Sequence, residues 1–126
     1  MTRVAHVHLT SDSLELQFEW LDFDGDDCFK DFHINVVSKT GTCRIDFGEC
    51  AVNGLRKFSR FIRDAEQRTV NGAFRHPDVR YYDVYREDDG FRLIVRIEGS
   101  GLQQEFRIRN PRTQIDDEFM RTVYSE

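Results

Sequence analysis

Apolar and polar residues alternate over most of this chain, a pattern that predicts β-strands with one buried face. In the first third, the alternation recurs in four segments, which are separated by turn residues such as Ser11-Asp12-Ser13. These segments are residues 4 to 9, 14 to 20, 32 to 36 and 43 to 47. The polar stretch of residues 22 to 27 contains a glycine and predicts a solvated loop. We therefore predict an antiparallel meander of four strands.

The period of the pattern changes after Asn53, where apolar residues recur at the spacing of an α-helix. One side of this helix carries Leu55, Phe58, Phe61, Ile62 and Ala65, and the other carries Arg56, Lys57, Arg60 and Arg63. Asn53 is expected to cap the helix by accepting a backbone N–H bond. The helix should run from about residue 54 to 68 and pack between sheets or across one. Residues 69 to 80 lack periodicity, which predicts a long surface loop.

The last third of the chain returns to the alternation of strands. Its three strand segments are residues 81 to 86, 91 to 98 and 102 to 108. A two-residue turn at Ser100-Gly101 would pair Arg96 with Glu105, which brings opposite charges together across two strands. We therefore predict a C-terminal hairpin with this register.

The end of the chain carries Ile115, Phe119 and Val123 at spacings of four residues. This spacing predicts a short C-terminal helix, for which Thr113 is the expected cap. The whole order of elements predicts an α+β fold. In it, a mainly antiparallel sheet of about seven strands packs with one central amphipathic helix and the short C-terminal helix.

The composition agrees with a folded domain, since 39% of the residues are hydrophobic and eleven are phenylalanine. A length of 126 residues fits a single domain over residues 1 to 126. No segment approaches the roughly 18 consecutive apolar residues of a membrane span. The first residues lack the layout of a secretory signal. We therefore expect a cytoplasmic domain that does not bind a membrane.

The net charge of −5 is unevenly distributed along the chain. Residues 1 to 53 include ten acidic and four basic residues, whereas residues 54 to 112 include nine acidic and thirteen basic residues. Eight of the acids fall within residues 12 to 31, where Lys30 is the one basic residue. This concentration predicts a negative local potential. It argues against a nucleic-acid partner, because domains that bind nucleic acid need a basic face, and we interpret the basic side of the helix as solvated.

Two groups of residues have some features of a metal site. The run Asp22-x-Asp24-x-Asp26 begins like a calcium-binding EF-hand loop, but Asp27 stands at the glycine position and His33 at the position of the closing glutamate. His6 and His8 share one strand face and would need a third ligand, such as His33 from a neighbouring strand, to hold zinc. We favour an exposed loop for the first group and the polar face of an edge strand for the second. No metal or cofactor is expected, and zinc at the three histidines stays an open alternative.

Signals of enzyme chemistry are weak. Glu15 and Glu19 share a strand face like the paired carboxylates of glycoside hydrolases, but any solvent-facing strand produces such pairs. The three cysteines, Cys28, Cys43 and Cys50, match neither a zinc nor a disulfide pattern and are expected to be buried free thiols. The sequence contains no nucleotide-binding or nucleophile motif. An enzyme would be a small metal-dependent or carboxylate hydrolase that uses His6, His8 and the acids around Asp24.

Three parts of the sequence carry a resemblance to a known family. They are Phe32-His33-Ile34-Asn35-Val36 with Cys43-Arg44-Ile45-Asp46-Phe47-Gly48, the L-x-x-F segment Leu55-Arg56-Lys57-Phe58, and Phe91 to Ile97 with the later Thr113-Gln114-Ile115-x-x-x-Phe119. In the order of these elements, residues 15 to 124 resemble the small immunity proteins of bacterial contact-dependent and polymorphic toxin systems, in particular the partners of WapI-like toxins. The resemblance implies a protein that binds and blocks a cognate toxin domain, without a reaction or a cofactor.

The charge pattern agrees with such a partner, because an acidic surface complements a basic toxin such as a nuclease. The residues expected at the partner surface are Glu19, Asp22, Phe23, Asp24, Asp26, Asp27 and Asp31. Trp20, Phe23 and Phe29 flank these acids and are candidates for anchors in the interface, although the strand phase of Trp20 also fits the core. A non-catalytic adaptor of a secretion system is a further alternative.

Overall fold

The computed structural model describes residues 5 to 25, 27 to 67, 72 to 75, 82 to 96 and 101 to 116. Over these residues, the chain forms nine strands and one helix. The strands are β1 (Ala5–Thr10), β2 (Leu14–Phe23), β3 (Cys28–Ser38), β4 (Gly41–Ala51), β5 (Gly72–Phe74), β6 (Tyr82–Glu87), β7 (Gly90–Arg96), β8 (Gln103–Arg109) and β9 (Arg112–Ile115). The helix α1 (Val52–Gln67) lies between β4 and β5 in the chain.

The strands form two antiparallel sheets. The first sheet has the order β4-β3-β2-β1-β9, and the second has the order β5-β6-β7-β8. The last strand, β9, returns to the first sheet and pairs with β1. The predicted α+β class with mainly antiparallel pairing is confirmed. The described residues contain nine strands rather than about seven, and β5 and β9 are the two that the sequence pattern did not indicate.

The helix α1 packs its apolar side into a core that both sheets share. Phe58 is fully buried, and its ring centroid lies 4.6 Å from that of Phe18 on β2 and 5.0 Å from that of Phe74 on β5. The sheets also meet directly, since the rings of Phe32 on β3 and Tyr82 on β6 lie 5.6 Å apart. Aromatic pairs at these distances add to the free energy gained by burying the rings. The prediction of an amphipathic helix that packs between sheets or across one is therefore confirmed. The helix α1 is neither long nor apolar enough to cross a membrane.

The predicted C-terminal helix is wrong where the structure describes it. Thr113 and Ile115 lie in β9, and Phe119 and Val123 lie outside the described residues. In β9, Thr113 and Ile115 are half-buried while Arg112 and Gln114 are exposed. A spacing of four residues is even, so it keeps side chains on one face of a strand as well as near one side of a helix. The apolar spacing alone therefore did not distinguish the two.

The hairpin of β7 and β8 forms as predicted, but its register differs by two residues. Arg96 pairs with Gln103, and Glu105 pairs with Ile94, so the predicted pair of Arg96 and Glu105 is wrong. A shift of two residues leaves each side chain on its face of the sheet. The apolar pattern consequently fits both registers.

The predicted loop of residues 22 to 27 is shorter than expected, because Asp22 and Phe23 belong to β2. Asp22 adopts a positive φ of 59°, a conformation that aspartate tolerates better than most residues. The turn itself contains Gly25 with a φ of 85°. The chain therefore reverses between Asp24 and the start of β3.

The ends of α1 also differ from the sequence prediction. The helix begins at Val52, so Asn53 lies in its first turn rather than at the capping position before it. The backbone N–H of Val52 donates to the carbonyl oxygen of Asp27 at 2.8 Å. The predicted surface loop of residues 69 to 80 contains the strand β5, and its other residues, apart from Arg75, lie outside the described part of the chain.

Candidate functional site

The outer face of the first sheet is the strongest candidate for a functional surface. The inward side chains of these strands form the core, so alternation directs the polar side chains outward. We call this surface the acidic face. Its members are His6, His8, Glu15, Gln17, Glu19, Asp31, His33, Asn35, Arg44, Asp46, Arg112, Gln114 and Asp116. Its described residues include five carboxylates and two guanidinium groups, so their fixed charge is negative.

One row of side chains crosses the acidic face from strand to strand. His6 on β1 is opposite Glu19 on β2, Glu19 is opposite His33 on β3, and His33 is opposite Asp46 on β4. Glu19 Oε1 accepts hydrogen bonds from His33 Nε2 at 3.2 Å and from Asn35 Nδ2 at 2.9 Å. Glu19 is therefore held in a fixed position by β3. It is less available to a partner than an exposed acid.

Arg44 joins two carboxylates beside His33. Its Nε donates to Asp46 Oδ1 at 2.8 Å, and its Nη2 donates to Asp31 Oδ2 at 3.3 Å. These two acids raise the pKa of Arg44, Asp46 most strongly through its hydrogen bond. Asp31, His33 and Asp46 offer ligand atoms that all lie within 4.8 Å of one another. Sequence reasoning named Asp31 and His33 but missed Asp46 and Arg44, because pairing with β4 is what brings them close.

His6 and His8 do not form the predicted edge, because β1 lies between β2 and β9 inside the sheet. Their rings lie 4.6 Å apart. Burial lowers the pKa of His8, and the nearby His6 lowers it further, although Glu19 and Glu15 act in the opposite direction. His33 is two strands away from β1, and two strand spacings amount to roughly 9.5 Å. The structure therefore does not bring the three histidines together as one zinc site.

The turn between β2 and β3 carries the remaining acids that the sequence indicated. Asp22, Asp24 and Asp27 are exposed there, and we call them the acidic tip. Asp26 lies outside the described residues. The tip is tied to the body of the protein, because Asp24 N–H donates to the carbonyl oxygen of Cys28 at 3.0 Å and the Asp27 carbonyl receives the N–H of Val52. Lys30 is exposed nearby on β3, so the tip is acidic but not free of positive charge.

The aromatic residues beside these acids are mostly core residues. Trp20 and Phe29 are fully buried, so the hypothesis that they anchor a partner is wrong for both. Trp20 stacks on Phe32 at 4.8 Å, as its strand phase suggested. Phe23 is partly buried and packs against Phe29 at 5.6 Å. Of the three, Phe23 is the one with surface left for contact.

In the part of the chain that the structure describes, the side chains that enzymes commonly use are spread over the surface and the core. Cys50 is buried as expected, whereas Cys43 is exposed and Cys28 is half-buried. Burial, and then the negative charges of Glu49 and Asp24, raise the pKa of Cys28, which disfavours the reactive thiolate.

Two open grooves occur among the described residues, with volumes of about 600 Å³ and 740 Å³. The larger groove is lined by Thr10, Ser11, Asp12, Ser13, Arg107, Arg109, Asn110 and Arg112. Neither groove contains a histidine, a cysteine or a pair of carboxylates in its lining. Glu15 and Glu19 lie on the open acidic face rather than across a groove. The arrangement thus suits contact with a large partner better than enclosure of a small substrate.

Comparison with protein-family models finds no family that matches this chain. Comparisons with curated proteins and with solved structures find no match either. The function of the protein is therefore argued from its surfaces, since a fold alone does not determine function.

Proposed function

We propose that this protein is an immunity-type protein, which binds and neutralises a cognate bacterial toxin domain through its acidic face and acidic tip. The observation that carries the proposal is the concentration of acids on one side of the molecule. Among the described residues, the acidic face has five carboxylates and two guanidinium groups. The acidic tip adds the carboxylates of Asp22, Asp24 and Asp27. The resemblance to immunity proteins supports the same function.

A basic partner would gain from this surface in two ways. Complementary potentials accelerate the diffusional encounter, and like charges reject partners of the wrong sign. The rigid pairing of the β2–β3 hairpin presents the acids without an ordering cost, because nine registered pairs connect the two strands. A nuclease toxin, which needs a basic surface to hold phosphates, is the class of partner that fits best. The proposal sets the complex in the cytoplasm, where such a toxin acts.

The alternative function of a carboxylate or metal-dependent hydrolase has less support. A hydrolase needs its acids to flank a substrate, and enzymes place such groups in clefts that exclude water. Glu19 already accepts hydrogen bonds from His33 and Asn35. Glu15 accepts a hydrogen bond from Gln17 Nε2 at 3.0 Å. Both acids lie on an open sheet face. An open sheet face is accessible to a partner protein, so this geometry fits a binding role better than catalysis.

The first experiment tests protection. The candidate toxin is the variable C-terminal domain of a large secreted protein that is encoded next to this chain, and it is expressed in bacteria with and without this chain. We expect growth arrest with the toxin domain alone and growth when both are present. We also expect a complex with one copy of each protein on gel filtration. Growth arrest that this chain does not relieve would contradict the proposal.

The second experiment tests the surface. The double variant Asp24→Lys/Asp27→Lys reverses two exposed charges of the tip, and Asp64→Lys/Asp88→Lys makes the same charge change at exposed positions on α1 and the β6–β7 turn. We expect the tip variant to lower toxin affinity by about tenfold or more, chiefly through a slower association rate. The control should change affinity by less than about threefold. Equal losses for both variants would mean that net charge, and not this surface, determines binding.

A further inference from the structure

His33 lies at the centre of the acidic face and differs from the other polar residues there by its burial. Only 3% of its surface is exposed. Its Nε2 faces the Glu19 carboxylate at 3.2 Å, and because an ionised carboxylate can only accept, Nε2 carries the proton and donates. His33 Nδ1 has no hydrogen-bond partner among the described residues, and Asp31 Oδ2 lies 3.5 Å from it.

When the imidazole is neutral and its proton lies on Nε2, Nδ1 is an acceptor whose lone pair faces the Asp31 carboxylate. Asp31 also offers only acceptor atoms, so in this form the two groups have no proton to share. Buried polar atoms without a partner cost free energy, and native proteins keep them only where a specific physical cause exists. A cation bound between Nδ1 and the carboxylate provides such a cause.

We propose that Asp31, His33 and Asp46 bind one divalent transition-metal ion, with Zn²⁺ as the ion that the donor set fits best. One imidazole nitrogen and two carboxylate oxygens would be the protein ligands, and water would complete the shell, as in an open zinc site. This inference concerns the free protein and goes beyond the proposed function. It holds or fails whether or not a toxin partner exists.

The spacing of the donor atoms agrees with this ion. Bonds of about 2.0 to 2.2 Å to Zn²⁺ put two tetrahedral ligands about 3.3 Å apart. His33 Nδ1 and Asp31 Oδ2 are already 3.5 Å apart, and the three ligand atoms lie within 4.8 Å of one another. Asp46 must approach further, and its side chain is 62% exposed, so a change of rotamer is open to it.

Arg44 now supplies the positive charge between the two carboxylates. The Arg44 side chain is half-exposed, so its guanidinium can move into water when an ion takes its place on Asp31 and Asp46. The two cations therefore compete for the same oxygens. We expect Arg44 to weaken metal binding, and its removal to strengthen it.

Glu19 would act as a positioning residue in this site. Histidine ligands of metals usually donate the second ring N–H to a carboxylate, which fixes the tautomer and the ring orientation. Glu19 performs this role here, and Asn35 Nδ2 holds the same oxygen at 2.9 Å. The imidazole favours Zn²⁺ over the hard cations Ca²⁺ and Mg²⁺, which prefer shells made of oxygen alone.

The experiment titrates ZnCl₂ into the full chain after treatment with a chelator, and it follows heat by calorimetry. Co²⁺ serves as a second probe, because its visible absorption reports coordination geometry. We expect one saturable Zn²⁺ site, and weaker binding of Ca²⁺ and Mg²⁺. Asp46→Asn and Asp31→Asn should each lower Zn²⁺ affinity by at least about tenfold, and Glu19→Gln by about 10- to 100-fold. Glu15→Gln, which changes an acid beside His8, should leave the affinity unchanged.

Two further measurements test the competition with Arg44 and the contact of Zn²⁺ with His33. Arg44→Gln should raise Zn²⁺ affinity, because it removes the competing cation. The ¹⁵N resonance of His33 Nδ1 should move when Zn²⁺ is added, because this nitrogen binds the ion. The proposal is overturned if neither the native chain nor Arg44→Gln binds Zn²⁺. It is also overturned if added Zn²⁺ leaves the Nδ1 resonance in place, or if Glu15→Gln weakens binding as much as Asp46→Asn does.

Discussion

The outer faces of the two sheets carry similar numbers of charged residues but arrange them differently. On the outer face of the second sheet, the strands β6 to β8 carry three acids and four arginines, and we call this surface the balanced face. Its charged members are Asp83, Glu87, Arg92, Arg96, Glu105, Arg107 and Arg109, and Arg109 pairs with Asp89 of the β6–β7 turn at 3.4 Å. Each acid there has an arginine partner: Arg96 donates to Asp83, Arg92 reaches Glu87 at 2.8 Å, and Arg107 reaches Glu105 at 2.8 Å.

Among the described residues, the acidic face lacks this one-to-one pairing. Arg44 pairs with both Asp31 and Asp46, and a histidine lies beside each of the other three acids, namely Glu15, Glu19 and Asp116. A surface whose charges neutralise one another has little field left to attract a partner, whereas an uncompensated surface attracts ions and proteins of opposite charge. We therefore expect the balanced face to contribute mainly to the stability of the fold and the acidic face to be the surface that a partner of opposite charge would contact.

Removal of a carboxylate from the balanced face should have the largest effect on stability. Asp83 is 4% exposed and accepts from Arg96 and from the hydroxyl of Tyr85, which lies 3.4 Å from Asp83 Oδ2. We expect Asp83→Ala to lower the free energy of unfolding by about 1.5 to 3 kcal/mol, the range for a lost hydrogen bond to a charged group. Urea unfolding followed by circular dichroism measures this loss.

Asp83→Asn is the matched control for the charge. It keeps one acceptor oxygen near Tyr85 and removes the negative charge that faces Arg96, so we expect a smaller loss than with Asp83→Ala. If Asp83→Ala changed stability as little as a typical exposed substitution, the balanced face would not have the structural role that its pairing indicates.

The same type of change on the acidic face should have a much smaller effect. Asp46 is 62% exposed, and its loss removes one contact with Arg44 but also relieves the repulsion between Asp46 and Asp31. We expect Asp46→Asn to change the free energy of unfolding by no more than about 0.5 kcal/mol, as for most exposed positions. Urea unfolding at low and high salt measures the change, and the difference from the native chain should shrink at high salt, since salt screens exposed charges. A loss as large as that of Asp83→Ala would make the acidic face structural as well.

The fold was predictable from sequence as far as local periodicity reaches. The strands β1 to β4 and β6 to β8, and the helix α1, each carry their own pattern of apolar residues, so the α+β class follows. The position of β9 does not follow, because Ile115 pairs with Val7 and nothing near Ile115 in the sequence indicates that partner. The register of β7 and β8 could not be predicted either, because a shift by two residues keeps every side chain on the same face of the sheet.

The negative charge of the candidate site and some of its residues were predictable from the sequence. The density of acids near Glu19 and Asp31 indicates a negative surface, which the fold forms from strands that the sequence also predicts. The grouping of His33 with Asp46 requires the pairing of β3 with β4, which includes a shift of register between Phe32 and His33. An irregularity of this kind has no signature in the alternation of residue types, so the metal-ligand set emerges from the structure alone.

The smallest expected effect is the contribution of His8, on the acidic face, to the pH dependence of the free energy of unfolding. His8 is partly buried, and its Nε2 has no hydrogen-bond partner among the described residues, so protonation is disfavoured in the folded state. Burial, and then His6, lower the pKa of His8 from its ordinary value of 6.5, against the opposing charges of Glu19 and Glu15. The unfolded chain therefore binds this proton at a higher pH than the folded protein does. The stability from His8 is complete above about pH 6.5 and is lost as the pH falls through the lowered pKa.

We accordingly expect His8→Gln to flatten the fall in the free energy of unfolding as the pH decreases from about 7 to 5, by less than one proton per molecule. Urea unfolding at several pH values in this interval measures the slope for both chains. His6→Gln is the informative companion, because it removes one cause of the lowered pKa and leaves the burial of His8 in place. It should flatten the slope by less than His8→Gln does. Equal acid slopes for the native chain and His8→Gln would show that His8 binds its proton equally well in both states, and the burial of its ring would then not oppose the charge.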